Sequence, residues 1–428
     1  MADEHYVSMD QLQLGLYVYL DLKWFEHPFA FSHFKIKSDD QIKTLRTLGL
    51  KQIRYSPELS DAAPPPRKAA SVEATATPTT IAQPELSPVM LAKRAMMEQM
   101  KLRRQAAERI EKAFANTAHV IRDIEKNIYS RPAETVQQAT KLIKDIADSI
   151  LSAPELAIHV MGDKMGGEEL YFHSLNVTML SMMMARDLKL PIEVVGALGM
   201  GALLHDIGRK EVPDKILRKT EPLTQAERNF YEMHCQFGVE IGQRLHLAAP
   251  VLAIIREHHE LFDGSGYPAK LKGEASSLLS RIVVIANHYD ELCNPLLIAD
   301  ALTPHEALSL MYAKLRGKFD AKLLQVFIRC LGVYPPGTIV QLSNGVIGMV
   351  ATVNTARPMK PMLVVYDANV PKDEAIMLDM ETETEVNIAK AIRPAQVPRE
   401  VYGYLSPRKR VSYYFDAAKP RTDSAKPG

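Results

Sequence analysis

Between residues 134 and 332 apolar positions recur at three- and four-residue steps and almost never alternate, which predicts a continuous series of helices. Several helix starts are legible. Thr224-Gln225-Ala226-Glu227 and Thr303-Pro304-His305-Glu306 are capping boxes, in which hydroxyl and carboxylate each satisfy an orphan N–H of the other's segment. Pro304 suits a first helical position, Asp320 can cap the last helix and Gly332 can end it. The longest apolar run, Val194–Leu204, has eleven residues, the length of a buried core helix and too short for a bilayer.

The flanks follow other patterns. In residues 1–60, Gln13–Leu20 reads as a strand. Ser38 opens a helix Asp39–Leu48 that stops at Gly49, and Leu50–Tyr55 reads as a second strand, so this is a small α+β module. Residues 61–88 carry six prolines and few large apolar groups, as a linker does. Within 89–133, a stripe of Met96, Met100, Ala107, Ile110, Phe114, Thr117, Ile121, Ile124 and Ile128 predicts one long helix. Its period fits either a coiled coil joining two chains in a homodimer or a helix packed on its own domain. After Tyr334-Pro335-Pro336-Gly337, short strands are expected at Thr338–Leu342, Gly345–Val353 and Pro361–Tyr366, a β-rich appendage over 333–397. Residues 398–428 form a polar tail. The fold class expected is mainly α: a helical core at 134–332 between two small appendages.

Composition narrows the partners. Lys+Arg 52 against Asp+Glu 51 leaves no basic field for a nucleic acid polymer. Three scattered cysteines, Cys235, Cys293 and Cys330, suit neither a disulfide scaffold nor a thiolate zinc site, and fit a reducing compartment. The start MADEHYVSMD lacks the charged and apolar stretches of a secretory signal. The expectation is a cytoplasmic protein with no membrane segment.

Candidate chemistry gathers in the helical region. Glu169 and His173 stand one helical turn apart, on one face. His205-Asp206 closes the apolar run, where an unpartnered imidazole and carboxylate would cost several kcal/mol unless hydrogen bonds or a metal satisfied them. His234 lies ten residues after the Thr224 cap, inside its helix by this reading. His258-His259-Glu260 ends another helix just before the loop Asp263-Gly264-Ser265-Gly266-Tyr267-Pro268, whose glycines let backbone approach a ligand. Asn287-His288-Tyr289-Asp290 lies on a helix read as Arg281–Cys293. Imidazoles mixed with hard oxygen donors, without thiolate, suit two or three divalent ions such as Fe or Mn, the usual clamp for attack on a phosphodiester. These residues therefore suggest a helical metal-dependent phosphohydrolase.

The runs H-D-I-G at 205–208, V-P-D-K-I-L at 212–217, M-H at 233–234, H-H-E at 258–260 and D-G-S-G-Y-P at 263–268 together resemble the HD-GYP family, a subgroup of the HD-domain phosphohydrolases. Residues 24–29, W-F-E-H-P-F, are similar to an uncharacterised domain found before such modules in bacteria. The resemblance implies hydrolysis of the second messenger cyclic di-GMP to pGpG or GMP, in signal transduction with protein partners. It gives Asp206 and Arg209 catalytic positions and makes Gly266, Tyr267 and Pro268 the wall around the nucleotide. The metal ligands it implies are Glu169, His173, His205, Asp206 (bridging), His234, His258, His259 and Asn287.

The chain departs from the family in three places. Arg209 replaces the usual Lys and cannot release a proton near neutral pH. Asn287 replaces an Asp and offers a neutral oxygen. Cys293–Ala299 lacks the arginines that would clamp phosphates. A working phosphodiesterase and a degenerate signalling scaffold are the two readings. The first is preferred because no histidine has been lost.

Overall fold

The structure is a computed structural model. It describes residues 5–65 apart from 23–25, 30 and 62; Met90, Leu91, Ala95 and Glu98; residues 117–152 apart from 118 and 125; and residues 169–405 apart from 296, 298, 299, 355, 356, 369, 373, 374 and 384. The side chains of residues 149–152 and 169–171 are not described. Most of the linker, most of the 89–133 stripe and the tail from Ser406 therefore lie outside the described residues. Two compact units result: Met1–Leu102 with Tyr366–Leu378, and Arg103–Val365 with Asp379–Gly428.

The first unit holds strands β1 (His5–Ser8), β2 (Tyr17–Tyr19), β3 (His33–Lys35) and β4 (Gln52–Ser56), antiparallel in the order β1-β4-β2-β3, and helix α1 (Asp39–Thr47). Ser38 caps α1, its hydroxyl accepting from the Gln41 N–H at 3.3 Å, while Gln41 reaches back to the Lys37 N–H at 2.7 Å. The strand expected from Gln13 begins only at Tyr17. The chain turns at Gly15, whose N–H and carbonyl are taken by Ile36 and Asp61. Val7, Leu16, Val18, Leu45 and Ile53 form the core beneath the sheet.

In the second unit the helices are α2 (Pro132–Ser152), α3 (Glu169–Asp187), α4 (Ile192–Leu204), α5 (Asp214–Leu217), α6 (Gln225–Glu232), α7 (His234–Arg244), α8 (Ala249–Glu257), α9 (Leu278–Cys293), α10 (Pro304–Ala313) and α11 (Ala321–Leu331). Both expected capping boxes form, Asp320 accepts from the Lys322 and Leu323 N–H groups, and Gly332 ends α11. α4 is the central element, packed against α2, α3 and α8. Leu198, Ala202 and Leu203 on α4 are buried with Leu175, Met179 and Met182 on α3 and Ile254 on α8. Each such Leu or Ile contributes roughly 1.5–3 kcal/mol relative to exposure. Ile121, Ile124 and Ile128 are buried in this same core, so the described end of the stripe packs on its own domain.

β5 (Ile339–Leu342), β6 (Ile347–Thr352), β7 (Met362–Val365), β8 (Ile376–Asp379) and β9 (Ile388–Ala391) make up the β-rich region, followed by α12 (Arg399–Leu405), which buries Val401 and Leu405 where the sequence predicts the start of a polar tail. β5 pairs antiparallel with both β6 and β9, and β6 with β7. β8 and β9 are not legible in the sequence: β8 is a short run set between the charges of 372–374 and 381–385, and β9 reads Ile-Ala-Lys-Ala, with too few large apolar groups to mark a strand. All three cysteines are free and buried. Among the described residues no helix is long and apolar enough to cross a membrane.

Candidate metal centre

α4 is apolar almost throughout its length, so His205 and Asp206, which follow its last residue, are delivered to the bottom of the core. His205 is fully buried. The chain then tightens into a 3-10 helix, Ile207–Glu211, that lies against α7. A Cβ at Gly208 would stand 1.9 Å from the His234 carbonyl oxygen and 2.4 Å from the Gly238 nitrogen. Only glycine permits this backbone contact, and the contact sets Asp206 opposite His234. His234 is not inside the helix that Thr224 caps. That helix stops at Glu232, and His234 begins α7 at the junction, where its ring can turn inward.

One device orients three of the histidines. His205 Nδ1 lies 2.7 Å from the Ala202 carbonyl, His234 Nδ1 2.6 Å from the Tyr231 carbonyl and His258 Nδ1 2.8 Å from the Ile255 carbonyl. Each histidine stands at a helix end and donates to the residue three before it, where carbonyls have lost their helical N–H partners. His173 Nδ1 donates instead to Asp290, at 2.7 Å. With these four Nδ1 atoms protonated, their Nε2 lone pairs point forward.

They converge on Asp206. One carboxylate oxygen lies 3.3 Å from His205 Nε2 and 3.6 Å from His173 Nε2; the other lies 3.5 Å from His258 Nε2 and 3.6 Å from His234 Nε2. Two groups capable of holding an ion result: His173, His205 and Asp206; and Asp206, His234, His258 and His259, with the ligand atoms of each within 4.8 Å of one another. His234 and His258 Nε2 are 3.1 Å apart, and those of His173 and His205 3.3 Å. Facing lone pairs at that separation repel unless a cation or proton lies near both. Burial pushes His205 and His259 down and His234 down to about 3, so these rings stay neutral at ordinary pH. Both Asp206 oxygens and His259 Nε2 are buried without a hydrogen bond. A nitrogen and oxygen donor set with unsatisfied lone pairs fits divalent ions.

Charge is balanced locally. Burial would raise the Asp206 carboxyl, but the Arg209 guanidinium and then His205 hold it well below the usual range. Arg209 Nε lies 3.0 Å from an Asp206 oxygen, an ion-pair contact whose angle is too poor for a hydrogen bond. Burial would lower His173, but the hydrogen bond and charge of Asp290 outweigh it and raise the ring.

The glycine-rich loop folds over this centre. A Cβ at Gly266 would meet the His259 carbonyl oxygen and the Leu261 nitrogen, each at 2.3 Å, so the loop backbone presses on the segment carrying His259. The Tyr267 N–H donates to the His259 carbonyl at 3.2 Å, and its ring stacks on the His259 imidazole at 4.5 Å between centroids. Pro268 is exposed at the rim. Buried Glu260 anchors the loop, accepting from the Ala269 and Leu271 N–H groups at 2.6 and 2.8 Å.

The structure thus brings His173, His205, Asp206, Arg209, His234, His258, His259, Gly266 and Tyr267 together. Glu169 opens α3, but its side chain lies outside the described residues. Asn287 is buried on α9; its amide donates to Glu291 at 3.3 Å and its carbonyl oxygen has no hydrogen-bond partner. Of the Leu296–Ala299 stretch only Leu297 is described. Sequence reasoning missed two residues. Asp290 is fully buried and serves His173; the available signal was a carboxylate inside an apolar helix, which demands partners. Tyr231 accepts from Arg209 at 2.8 Å, and no spacing foretold that pairing.

Comparison with known proteins agrees with this geometry. The HD domain family matches residues 126–323, a domain of unknown function (DUF3391) matches 5–139, and a KOW domain associated with HD domain matches 339–400. The chain is 31% identical over 364 residues to the cyclic di-GMP phosphodiesterase PA4108 of Pseudomonas aeruginosa, covering 84% of each. It is 36% identical over 150 residues to the cyclic di-GMP phosphodiesterase response regulator RpfG of Xanthomonas campestris, covering 34% of this chain and 39% of that one. It is 30% identical over 183 residues to 3'3'-cGAMP-specific phosphodiesterase 1 of Vibrio cholerae, covering 42% of each. The chain belongs to the HD-GYP family of HD-domain phosphodiesterases.

Proposed function

We propose that this chain cleaves the phosphodiester bonds of cyclic di-GMP, giving pGpG or GMP, with two divalent ions held astride Asp206. The observation that carries the reading is that one carboxylate faces two histidine groups, one oxygen to each. His173 and His205 would hold one ion with Asp206; His234, His258 and His259 would hold the other. Glu169 would serve a third, and the Asn287 carbonyl would be a weak further donor. Fe or Mn suits these nitrogen and oxygen donors better than a structural zinc. Bound ions would supply an activated water and take up charge on the phosphate oxygens.

The remaining work falls to the chain's own residues. Arg209 keeps Asp206 ionised, so the carboxylate stays available as a bridge. The Nδ1 hydrogen bonds fix each imidazole before any ion binds, which lowers the cost of assembling the site. Gly266, Tyr267 and Pro268 would form the wall against the nucleotide, with the Tyr267 ring braced by His259. The N-terminal module and the 89–128 segment would carry regulation, by pairing two chains or by docking a signalling protein.

Substrate identity rests on relatives with two specificities, so the test uses both. Protein purified anaerobically is assayed for Fe and Mn, then incubated with cyclic di-GMP or 3'3'-cGAMP, and products are separated by chromatography. Near two ions per chain with pGpG or GMP formed is the expected result. Turnover of 3'3'-cGAMP alone would transfer the reading to that substrate. No metal and no turnover after Fe or Mn loading would leave the degenerate scaffold.

A further inference from the structure

Arg209 and Tyr231 form a side-chain pair that itself supplies no ligand to an ion. Arg209 donates through Nη2 to the Tyr231 phenol oxygen at 2.8 Å, and its guanidinium carbon lies 5.6 Å from the centre of that ring. Tyr231 is tied to the centre twice more: its carbonyl fixes His234 Nδ1 at 2.6 Å, and its ring lies 5.0 Å from the His234 ring. Because the phenol oxygen accepts from Arg209, its own proton is free to be donated elsewhere. Among the described residues no acceptor takes it. The residue as a whole is half-buried. Burial raises the Tyr231 phenol above its ordinary range and outweighs the lowering by Arg209, so the hydroxyl keeps its proton.

A free donor backed by a guanidinium, beside a carboxylate that faces two ion-holding groups, selects an anion with several oxygens. We propose that Tyr231 is a catalytic residue, its O–H donating to an oxygen of the phosphodiester and Arg209 aligning it. The inference rests on the phosphodiesterase reading of this site. Arg209 is placed to align the phenol: its Nε faces Asp206 and its Nη2 donates to the phenol oxygen.

The test is Tyr231→Phe, which removes the hydroxyl and keeps both the ring and the carbonyl that orients His234. Bound metal is expected to match the parent protein, while the melting temperature falls modestly because an Arg209 N–H loses its buried acceptor. Affinity of the Mn-loaded protein for inorganic phosphate, measured by calorimetry, should fall about ten-fold, as for loss of one hydrogen bond to a charged group. Turnover of bis(p-nitrophenyl) phosphate, a generic diester, should fall roughly ten- to hundred-fold. A phosphate affinity that does not move overturns the proposal, whatever happens to turnover. Loss of bound metal in the variant also overturns it, because Tyr231 would then be a support for His234. A parent protein that cleaves the generic diester and leaves cyclic dinucleotides intact fails the substrate reading alone. One that neither binds phosphate nor cleaves any diester fails both.

Discussion

Asp290 accepts the Nδ1 proton of His173 at 2.7 Å from a position 117 residues further along the chain. The same carboxylate accepts from the side-chain amides of Asn176 and Asn294, each at 2.8 Å. α3 and α9 are thereby locked to each other beneath the first ion-holding group.

Asp290→Asn should therefore weaken metal binding while leaving every ligand in place. The charge that orients His173 and raises its basicity would be gone, and an amide would face two other amides. Loss of such an outer partner typically costs about 10–100-fold in metal affinity. Competition against a chelator, followed by metal quantification, checks this. An unchanged affinity would show that packing alone fixes the His173 ring.

Two glycines separate the functions of the site. Gly208→Ala must push the 3-10 helix away from α7, since the new methyl would overlap the His234 carbonyl at 1.9 Å. Asp206 and His234 then part, and bound metal is expected to fall with activity. Gly266→Ala displaces only the loop over His259, where the clash is 2.3 Å. That variant should keep the first group's ion and lose kcat/KM, through a raised KM. Metal content and steady-state kinetics on the two proteins decide the matter; equal metal loss in both would refute the division.

The helical core and most of the centre were legible because both rest on local rules. Thr224, Thr303 and Asp320 cap helices by chemistry confined to three residues, and the apolar run before His205 could only be a buried helix. The family motifs named the histidines. The orientation of those histidines was not legible. The spacing from Thr224 puts His234 in a helix interior, because nothing local marks the break at Met233 that allows α7 to start on it. The pairing His173–Asp290 joins α3 to α9 and the pairing Arg209–Tyr231 joins the 3-10 helix to α6, tertiary neighbours that periodicity does not encode. Gln13–Leu20 promised a longer strand than formed, since the apolar pattern outran the turn at Gly15.

Glu260 offers a test of the loop alone. Its two oxygens accept the Ala269 and Leu271 N–H groups. Glu260→Gln would turn an NH2 toward one of these donors and leave it unsatisfied, at a cost of about 1–3 kcal/mol. Faster hydrogen exchange at Ala269 and Leu271 is expected, with metal content preserved. Exchange as slow as in the parent would mean that Gly266 packing holds the loop without its carboxylate anchor.

Asn287→Asp probes the departure from the family pattern. The Asn287 amide now donates to Glu291 one turn along α9, and its carbonyl oxygen is buried without a partner. Aspartate would replace that hydrogen bond with two like charges at an i,i+4 spacing, which is unfavourable on any helix and more so in a buried one. The metal-free variant should therefore unfold at a lower temperature than the parent. A cation near the new carboxylate reverses the sign, because the added charge then binds the ion and screens Glu291. The expected signature is a wider gap in melting temperature between metal-free and Mn-loaded protein, together with more metal retained after dialysis against chelator. An unchanged gap and unchanged retention would place residue 287 outside the ion-holding set, and the neutral oxygen there would then have no bearing on activity.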